Sequence, residues 1–284
     1  MNSRHSSEGP GRLEFPLSDH YLSADEIRSG LKSRFWREIV CCRSVSSTND
    51  IGLSLPMDDI RENTGIAIIA DCQEKGRGRF DRTWFSPPGL NLYLSIVLRP
   101  GIPPSDAPFL TILAALAAAA ALTREAGIQV SIKWPNDLLM AGKKLGGILT
   151  EARTVQGIIT RAVIGIGINL NSRTDDLPPE ISGKATSVLI ETGSTSSRER
   201  IASGIMNEFE ARYKKLLATG IFPLVRELRP LLSCLGREVL VTDGASRISG
   251  LAEDIDDKGR LVLLLPSGLR KKINSGEITE TGDR

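Results

Sequence analysis

The residues best suited to chemistry lie together in one segment, residues 71–88, between two apolar runs. Its glycines, arginines and tryptophan are Gly76, Gly78, Arg77, Arg79, Arg82 and Trp84. The glycines free the backbone and expose its amides. The guanidinium groups suit phosphate or carboxylate oxygens. Such a loop can close over an anionic ligand, although its composition also fits a solvated basic hairpin or a patch that touches nucleic acid.

A second group of polar residues follows a predicted strand at residues 130–134. Asn136 and Asp137 come in a turn after Pro135, and Lys144 lies on the hairpin that follows. A carboxylate ringed by lysine and arginine suits the activation of another carboxylate by ATP, followed by attack of an amine. In that chemistry Asp137 would orient or deprotonate the amine. The alternative for this residue is a purely local Asx turn.

Neutral hydrogen-bonding side chains form a third group at a predicted strand-to-helix junction. They are Ser47, Thr48 and Asn49, with Gln73 at the mouth of the basic loop. Such a row can grip a polar, uncharged headgroup, while one hydroxyl caps the helix. Gly165 and Gly167 lie two apart on a predicted strand and leave one face bare, which fits either a slot for a ring system or dense sheet packing.

Composition excludes several function classes. The formal net charge of +2 gives no reason to expect a polyanionic partner. Both histidines, His5 and His20, lie in a polar leader, so neither a zinc site nor a Ser-His-Asp triad is expected. Four scattered cysteines indicate free thiols in a reducing compartment, and no secretory signal is visible. We therefore predict a cytoplasmic protein without a protein-bound metal, and a buried helix rather than a membrane span at residues 107–126.

Hydrophobic patterning predicts an α+β fold with a largely antiparallel sheet. The predicted strands span residues 38–45, 64–71, 90–98, 130–134, 138–140, 144–152 and 162–170, and the two long helices span residues 105–127 and 197–218. Alternating leucines over residues 90–98 predict a half-buried strand. Short strands from about residue 230 predict a small β-barrel. We expect a disordered leader over residues 1–20, a catalytic domain over residues 21–228 and a barrel domain over residues 229–284.

Five segments together resemble the biotin–protein ligases. They read S-T-N, G-R-G-R-F-D-R-T-W-F-S-P-P-G-L-N-L-Y-L-S, K-W-P-N-D, K-L-G-G-I-L-T-E and G-I-G-I-N, in that family's order and at similar spacings. The resemblance is close over residues 46–171 and looser in the barrel. It implies a class II synthetase-like catalytic domain, mixed or antiparallel in its sheet, with helices packed on it and an SH3-like C-terminal β-barrel.

The resemblance also implies a reaction and a set of site residues. The enzyme would join biotin to ATP and then transfer biotin from biotinyl-5′-AMP to one lysine of a biotin carboxyl carrier protein. Catalysis would rest on Lys144, Asp137 and Arg79. Biotin would be bound by Ser47, Thr48, Asn49, Gln73, Arg77, Gly78, Arg79, Trp84 and Lys144. The adenylate would be bound by Arg77, Arg79, Arg82, Asn136, Lys144 and Asn169. Magnesium is expected as the counterion of ATP.

Some members of this family carry an N-terminal DNA-binding domain. The stretch before Ser23 is too short for one, so we expect a ligase without repressor activity and without a nucleic-acid partner. A homodimer is expected by family likeness only. Two alternatives remain at this point: a lipoate or octanoate ligase of the same fold, and a nucleic-acid-binding protein that uses the arginine-rich loop.

Overall fold

A computed structural model describes residues 22–280, and the predicted leader over residues 1–20 lies outside them. The larger of two sheets has seven strands: β1 (Trp36–Val45), β2 (Gly65–Gln73), β3 (Leu92–Leu98), β4 (Ser131–Lys133), β5 (Asp137–Met140), β6 (Lys143–Val155) and β7 (Ile158–Ile168). Their spatial order is β1-β2-β3-β7-β6-β5-β4. The β1–β2 pair is parallel and the other pairs are antiparallel, so the sheet is mixed, as predicted.

The helices of the described chain are α1 (Ala24–Ser29), α2 (Thr48–Ser54), α3 (Ala107–Ala126), α4 (Pro179–Ser182), α5 (Val188–Thr192), α6 (Arg198–Thr219) and α7 (Phe222–Leu228). Short 3₁₀ turns lie at Met57–Asp59, Pro104–Asp106, Thr174–Asp176 and Arg229–Leu231. The segment over residues 174–182 contains one 3₁₀ turn and one short helix.

Helix α3 is apolar and long enough to cross a membrane by composition alone. Within the protein, however, 61% of its most apolar window is buried, because its leucines and alanines pack against α6 and the sheet. Gly127 ends the helix in the left-handed conformation, at φ 68°, as its position after an alanine-rich run predicts. The buried-helix prediction for this segment is confirmed.

The predicted half-burial of the strand at residues 90–98 is wrong, since every residue of β3 is buried. The leucines face the core that includes α3, and the opposite face is covered by α2. That second face carries Ser95, whose hydroxyl lies 2.6 Å from Thr48 Oγ1 and 2.6 Å from Asn49 Oδ1. The alternating leucines therefore predicted the strand, but not the polar contacts of Ser95 on its other face.

The second sheet is antiparallel and contains β8 (Glu238–Asp243), β9 (Ser246–Ile255), β10 (Leu261–Leu264), β11 (Arg270–Ile273) and β12 (Glu277–Glu280), in the order β11-β10-β9-β8-β12. Strand β12 was not predicted. This C-terminal SH3-like unit packs beside the larger sheet, where Trp134 Nε1 donates a hydrogen bond to the carbonyl of Gly259 over 3.1 Å. The contact joins the two sheets next to the predicted site.

Candidate active site

A cavity of about 330 Å³ opens between the larger sheet, the arginine-rich loop and strand β12. Every site residue predicted from the sequence lines it: Ser47, Thr48, Asn49, Gln73, Arg77, Gly78, Arg79, Arg82, Trp84, Asn136, Asp137, Lys144 and Asn169. These residues come from segments up to about 120 positions apart in the chain. The fold therefore brings the three predicted groups into one space.

One end of the cavity is built from neutral hydrogen-bonding groups. Gln73 Oε1 accepts from the backbone N–H of Thr48 at 2.9 Å and lies 3.1 Å from its hydroxyl. Ser47 Oγ accepts from the backbone N–H of Asn49 and caps α2, as its type predicts. The Asn49 amide donates to Glu151 Oε2 over 2.7 Å. Protein partners thus fix the directions of the Thr48, Asn49 and Gln73 side chains at this end.

Both glycines that were predicted to leave a strand face bare are in fact covered. A Cβ atom on Gly165 would lie 2.5 Å from Asn49 Oδ1, and one on Gly167 would lie 2.6 Å from Trp84 Nε1. Of the two alternatives for these glycines, the geometry favours dense packing, because the amide of Asn49 and the indole ring of Trp84 lie against them. Trp84 Nε1 is buried without a hydrogen-bond partner within residues 22–280, which leaves a donor in the cavity wall.

The guanidinium of Arg77 is held by two carboxylates rather than left free over the cavity. It forms two hydrogen bonds to Glu151, at 2.8 and 3.0 Å, and an ion pair with Asp50. Although burial opposes it, these hydrogen bonds raise the pKa of Arg77. A contact of this guanidinium with an adenylate stays a prediction, because the group would first have to leave both carboxylates.

The opposite end of the cavity is charged. Arg79 donates to Asn136 Oδ1 at 2.9 Å, and the Asn136 amide donates to Asp137 Oδ1 at 3.2 Å. Lys144 Nζ lies 2.8 Å from the same Asp137 oxygen and 5.6 Å from the centre of the Trp84 ring. Burial lowers the pKa of Arg79. One continuous chain of contacts thus links the loop arginine to the lysine.

Strand β12 closes this charged end, which the sequence did not predict. Arg79 also donates to the carbonyl of Gly276 at 3.2 Å. Arg82 makes a two-pronged pair with Glu277, at 2.8 and 2.5 Å. That hydrogen bond raises the pKa of Arg82 and lowers the pKa of Glu277. Gly276 and Glu277 follow the predicted strands of the barrel, and no local pattern marks them as partners of the arginine-rich loop.

The tip of the arginine-rich loop is a tight turn. The backbone N–H of Gly78 donates to the carbonyl of Arg82 over 2.7 Å, and residues 77 and 83 form an isolated β-bridge. Phe80 and Asp81 both adopt φ of 56°, the left-handed region that non-glycine residues seldom occupy. Phe80 is 54% exposed and lies under the Arg79 guanidinium at 4.8 Å. The turn aims both arginines of the tip toward β12.

Asn169 lies deep in the wall of the cavity. It is 6% exposed, and its amide donates to the carbonyl of Thr186 at 2.9 Å. The backbone of Lys144 is fixed on the same side, because its N–H donates to the carbonyl of Lys184 and its carbonyl accepts from Thr186. Asn169 is therefore placed to hold the segment that supports the lysine. No group of three or more metal-ligating side chains occurs within residues 22–280.

Comparison with known proteins places this geometry in a family. Residues 41–169 match the model of the biotin/lipoate A/B protein ligase family, and residues 234–279 match the biotin protein ligase C-terminal domain. The bifunctional ligase/repressor BirA of Bacillus subtilis is 37% identical over 90% of this chain and 78% of its own length. This chain belongs to the biotin protein ligase family.

Two further relatives agree with that assignment. The ligase is 32% identical to the biotin–[acetyl-CoA-carboxylase] ligase of Mycobacterium tuberculosis, over 89% of this chain and 91% of the relative. Its fold is similar to that of the biotin protein ligase of Aquifex aeolicus, solved in complex with biotin and ATP. The TM-score is 0.74 at 29% identity, covering 86% of this chain and 99% of the other. The predicted fold class is confirmed by these likenesses and by the two sheets.

Proposed function

We propose that this cavity carries out both half-reactions of a biotin–protein ligase: formation of biotinyl-5′-AMP from biotin and ATP, and transfer of biotin to a lysine of a biotin carboxyl carrier protein. One observation carries the proposal. A neutral hydrogen-bonding end and a cationic end lie in one cavity, which suits a ligand with an uncharged ring at one end and a reacting carboxylate at the other.

The neutral end would bind the ureido ring of biotin. That ring carries two N–H donors and one carbonyl acceptor, and Ser47, Thr48, Asn49 and Gln73 offer matching oxygens and donors. Thr48 and Asn49 are 3% exposed, so the ring would leave water on binding and its hydrogen bonds would be made in a dry site. Trp84 would form the wall along the thiophane ring and the valeryl chain, with the backbone of Gly78 above it.

Adenylate formation would take place at the cationic end. A carboxylate oxygen of biotin attacks the α-phosphorus of ATP, a new C–O–P bond forms, and the bond to the pyrophosphate leaving group breaks. Lys144 and Arg79 would stabilise the charge that builds on the phosphoryl oxygens. Asn136 and Asn169 would hold the nucleotide, and Arg82 would retain it by closing the loop through its pair with Glu277. Magnesium would enter bound to the ATP phosphates, since the described residues offer no cluster of carboxylates to cage it.

Transfer would use Asp137. The amine of the acceptor lysine attacks the acyl carbon of biotinyl-5′-AMP, an amide bond forms, and AMP leaves with the electrons of the C–O bond. The amine must lose a proton in this step, and the Asp137 carboxylate would accept it. Asp137 Oδ1 is held by Asn136 and Lys144, which fixes its direction in the cavity.

The partners and the domain division follow as proposals. The acceptor is a carrier protein or domain of a biotin-dependent carboxylase, because relatives of this chain are named for acetyl-CoA carboxylase. We also propose a cytoplasmic ligase that does not act on nucleic acid and that can form a homodimer. Its catalytic domain would span residues 21–228 and its C-terminal domain residues 229–284.

The experiment that tests the proposal is incubation with ATP, magnesium chloride and biotin, followed by mass spectrometry of the bound small molecules. Biotinyl-5′-AMP retained by the protein is the expected product. A parallel incubation with lipoate should give no lipoyl-AMP. Formation of lipoyl-AMP in place of the biotinyl adenylate would move the chain to the lipoate branch, and the absence of both would overturn the proposal.

A further inference from the structure

An arginine outside the cavity is buried and pairs with no carboxylate of residues 22–280. Arg161, on β7, is 2% exposed. Its guanidinium donates to the carbonyls of Leu53 and Leu55, and it lies 3.1 Å from Met57 Sδ. No carboxylate pairs with it in the part of the chain that the structure describes, and its Nε has no partner there. A buried charge held only by neutral acceptors is costly, so its position calls for a functional reason.

The acceptors that hold this charge are the end of helix α2. The last carbonyls of a helix have no partner inside it and form the negative end of its dipole. Helix α2 has only seven residues and no basic residue in its last turn. A helix this short is not stable by itself in water. Arg161 therefore supplies, from the neighbouring strand, the positive charge and the donors that the helix lacks.

The same face of β7 supports α2 along its whole length. Residues 161, 163 and 165 alternate onto this face. A Cβ atom on Gly165 would meet Asn49, and one on Gly52 would meet Val163 at 2.8 Å. The helix thus touches β7 at its first turn through Asn49, at its middle through Gly52 and at its end through Arg161. Motion of the far end must be transmitted to the first turn, because the contact between them is tight.

That first turn is the neutral end of the cavity. Thr48 and Asn49 begin α2 and bond to Gln73, Ser95 and Glu151 over 2.6 to 3.1 Å. A shift of the helix along β7 would lengthen these bonds and misplace the groups that face a ligand. Within residues 22–280, the groups that hold Arg161 belong to Leu53, Leu55 and Met57 and not to the charged end of the cavity. Substitution of Arg161 should therefore disturb the neutral end of the cavity and leave the charged end unchanged.

We infer that Arg161 is a positioning residue for biotin, which sets the affinity for the ureido ring by clamping the far end of α2. This inference rests on the proposed assignment of Thr48 and Asn49 to biotin. Arg161 touches no substrate. Its effect reaches the ligand through the backbone of a seven-residue helix, so it should appear in the KM for biotin and not in the KM for ATP.

The test compares Arg161→Met and Arg161→Lys with Arg153→Met by biotin-dependent exchange of pyrophosphate into ATP. Arg153 is the matched control because it is the Cα partner of Arg161 on β6 but is exposed. For Arg161→Met we expect the KM for biotin to rise about tenfold, as small misplacements of binding groups do, with the KM for ATP unchanged. Lysine keeps the charge and one donor direction, so it should restore part of the affinity. Arg153→Met should match the wild type.

Three outcomes overturn the inference: an unchanged KM for biotin, equal rises in the KM for biotin and for ATP, or a lysine variant as impaired as the methionine variant. If Arg161→Met does not fold, Arg161→Lys decides alone, since a selective rise in the KM for biotin supports the clamp and its absence refutes it. The variant Asn49→Ala tests the biotin assignment separately from the role of Arg161. If Asn49→Ala leaves the KM for biotin unchanged, the assignment of this end of the cavity to biotin fails. If Asn49→Ala raises that KM but the Arg161 variants do not, only the proposed role of Arg161 fails.

Discussion

Lys144 Nζ lies 2.8 Å from Asp137 Oδ1, so the cation proposed for the first half-reaction is paired with the base proposed for the second. Neither group is fully enclosed, since their side chains are 37% and 23% exposed. In the proposed reaction the α-phosphate of ATP would compete with Asp137 for Lys144, and the carboxylate would then be free to accept a proton. We therefore propose that the pair orders the two steps, with the base released once the lysine has moved to the phosphate.

Substitution of the lysine should abolish the first half-reaction. We expect Lys144→Met to lower the rate of biotinyl-5′-AMP formation by about a hundredfold or more, because a positioned donor to developing charge is worth that much in other enzymes. The control is Lys143→Met, which removes the neighbouring lysine on the exposed side of β6. Pyrophosphate exchange gives both rates. Comparable losses in the two variants would show that general electrostatics, and not this position, is responsible.

Substitution of the carboxylate should act mainly on transfer. We expect Asp137→Asn to slow transfer from preformed biotinyl-5′-AMP to the carrier by about a hundredfold, the usual contribution of a general base. Adenylate formation should change much less, because the amide keeps the contact with Asn136. Single-turnover measurements of each half-reaction distinguish these effects. An equal loss in both would make Asp137 a structural Asx-turn residue, which was the alternative from the sequence.

Sequence reasoning identified the cavity well because its residues lie at chain positions with strong local signals. Gly76 and Gly78 mark a loop, Ser47 marks a helix start and Pro135 marks a turn, and each signal is independent of the rest of the fold. All thirteen predicted site residues line the same cavity. Their roles came from a family resemblance, since composition alone slightly favoured a solvated basic hairpin or a nucleic-acid patch for the loop.

The residues that sequence reasoning missed owe their place to tertiary packing. Ser95 lies inside an apolar strand, and only the cover of α2 on β3 brings it to Thr48. Glu151 sits on β6, and its role follows from the loop that carries Arg77 folding back over that strand. Glu277 is nearly two hundred positions from Arg82. Local sequence patterns do not indicate contacts between residues so far apart in the chain, so these partners are visible only in the folded structure.

The pair between Arg82 and Glu277 should hold the loop closed without adding much to overall stability. Both side chains are largely exposed, at 61% and 41%, and such pairs contribute only about 0–1 kcal/mol to unfolding free energy. We expect Arg82→Ala to release biotinyl-5′-AMP about tenfold faster, because the loop would open more often. The double variant Arg82→Glu with Glu277→Arg should recover slow release.

A matched control exists for this prediction on the same sheet. Arg270 pairs with Glu253 at 2.6 Å with a similar exposure, but it lies on β11, away from the cavity. Arg270→Ala should leave adenylate release unchanged, as measured by loss of radiolabelled biotin from the isolated complex. Failure of the charge-reversed double variant to recover, with both variants folded, would mean that Arg82 acts on the nucleotide directly.

The contact between the two sheets should weaken in acid through one carboxylate. Although burial opposes it, hydrogen bonds from the Arg260 side chain and from the Arg260 and Lys258 backbone lower the pKa of Asp256 to about 2, from an ordinary 3.8. Since the folded pKa is the lower one, this group stabilises the fold above pH 3.8 and loses that contribution as pH falls toward 2. The turn that contains Asp256 also presents the Gly259 carbonyl to Trp134.

The variant Asp256→Asn should therefore be less stable than the wild type at pH 6, with the difference shrinking toward pH 2. Urea unfolding at each pH would measure this difference. A constant difference, or the same trend in the exposed Asp257→Asn control, would rule this carboxylate out as the cause.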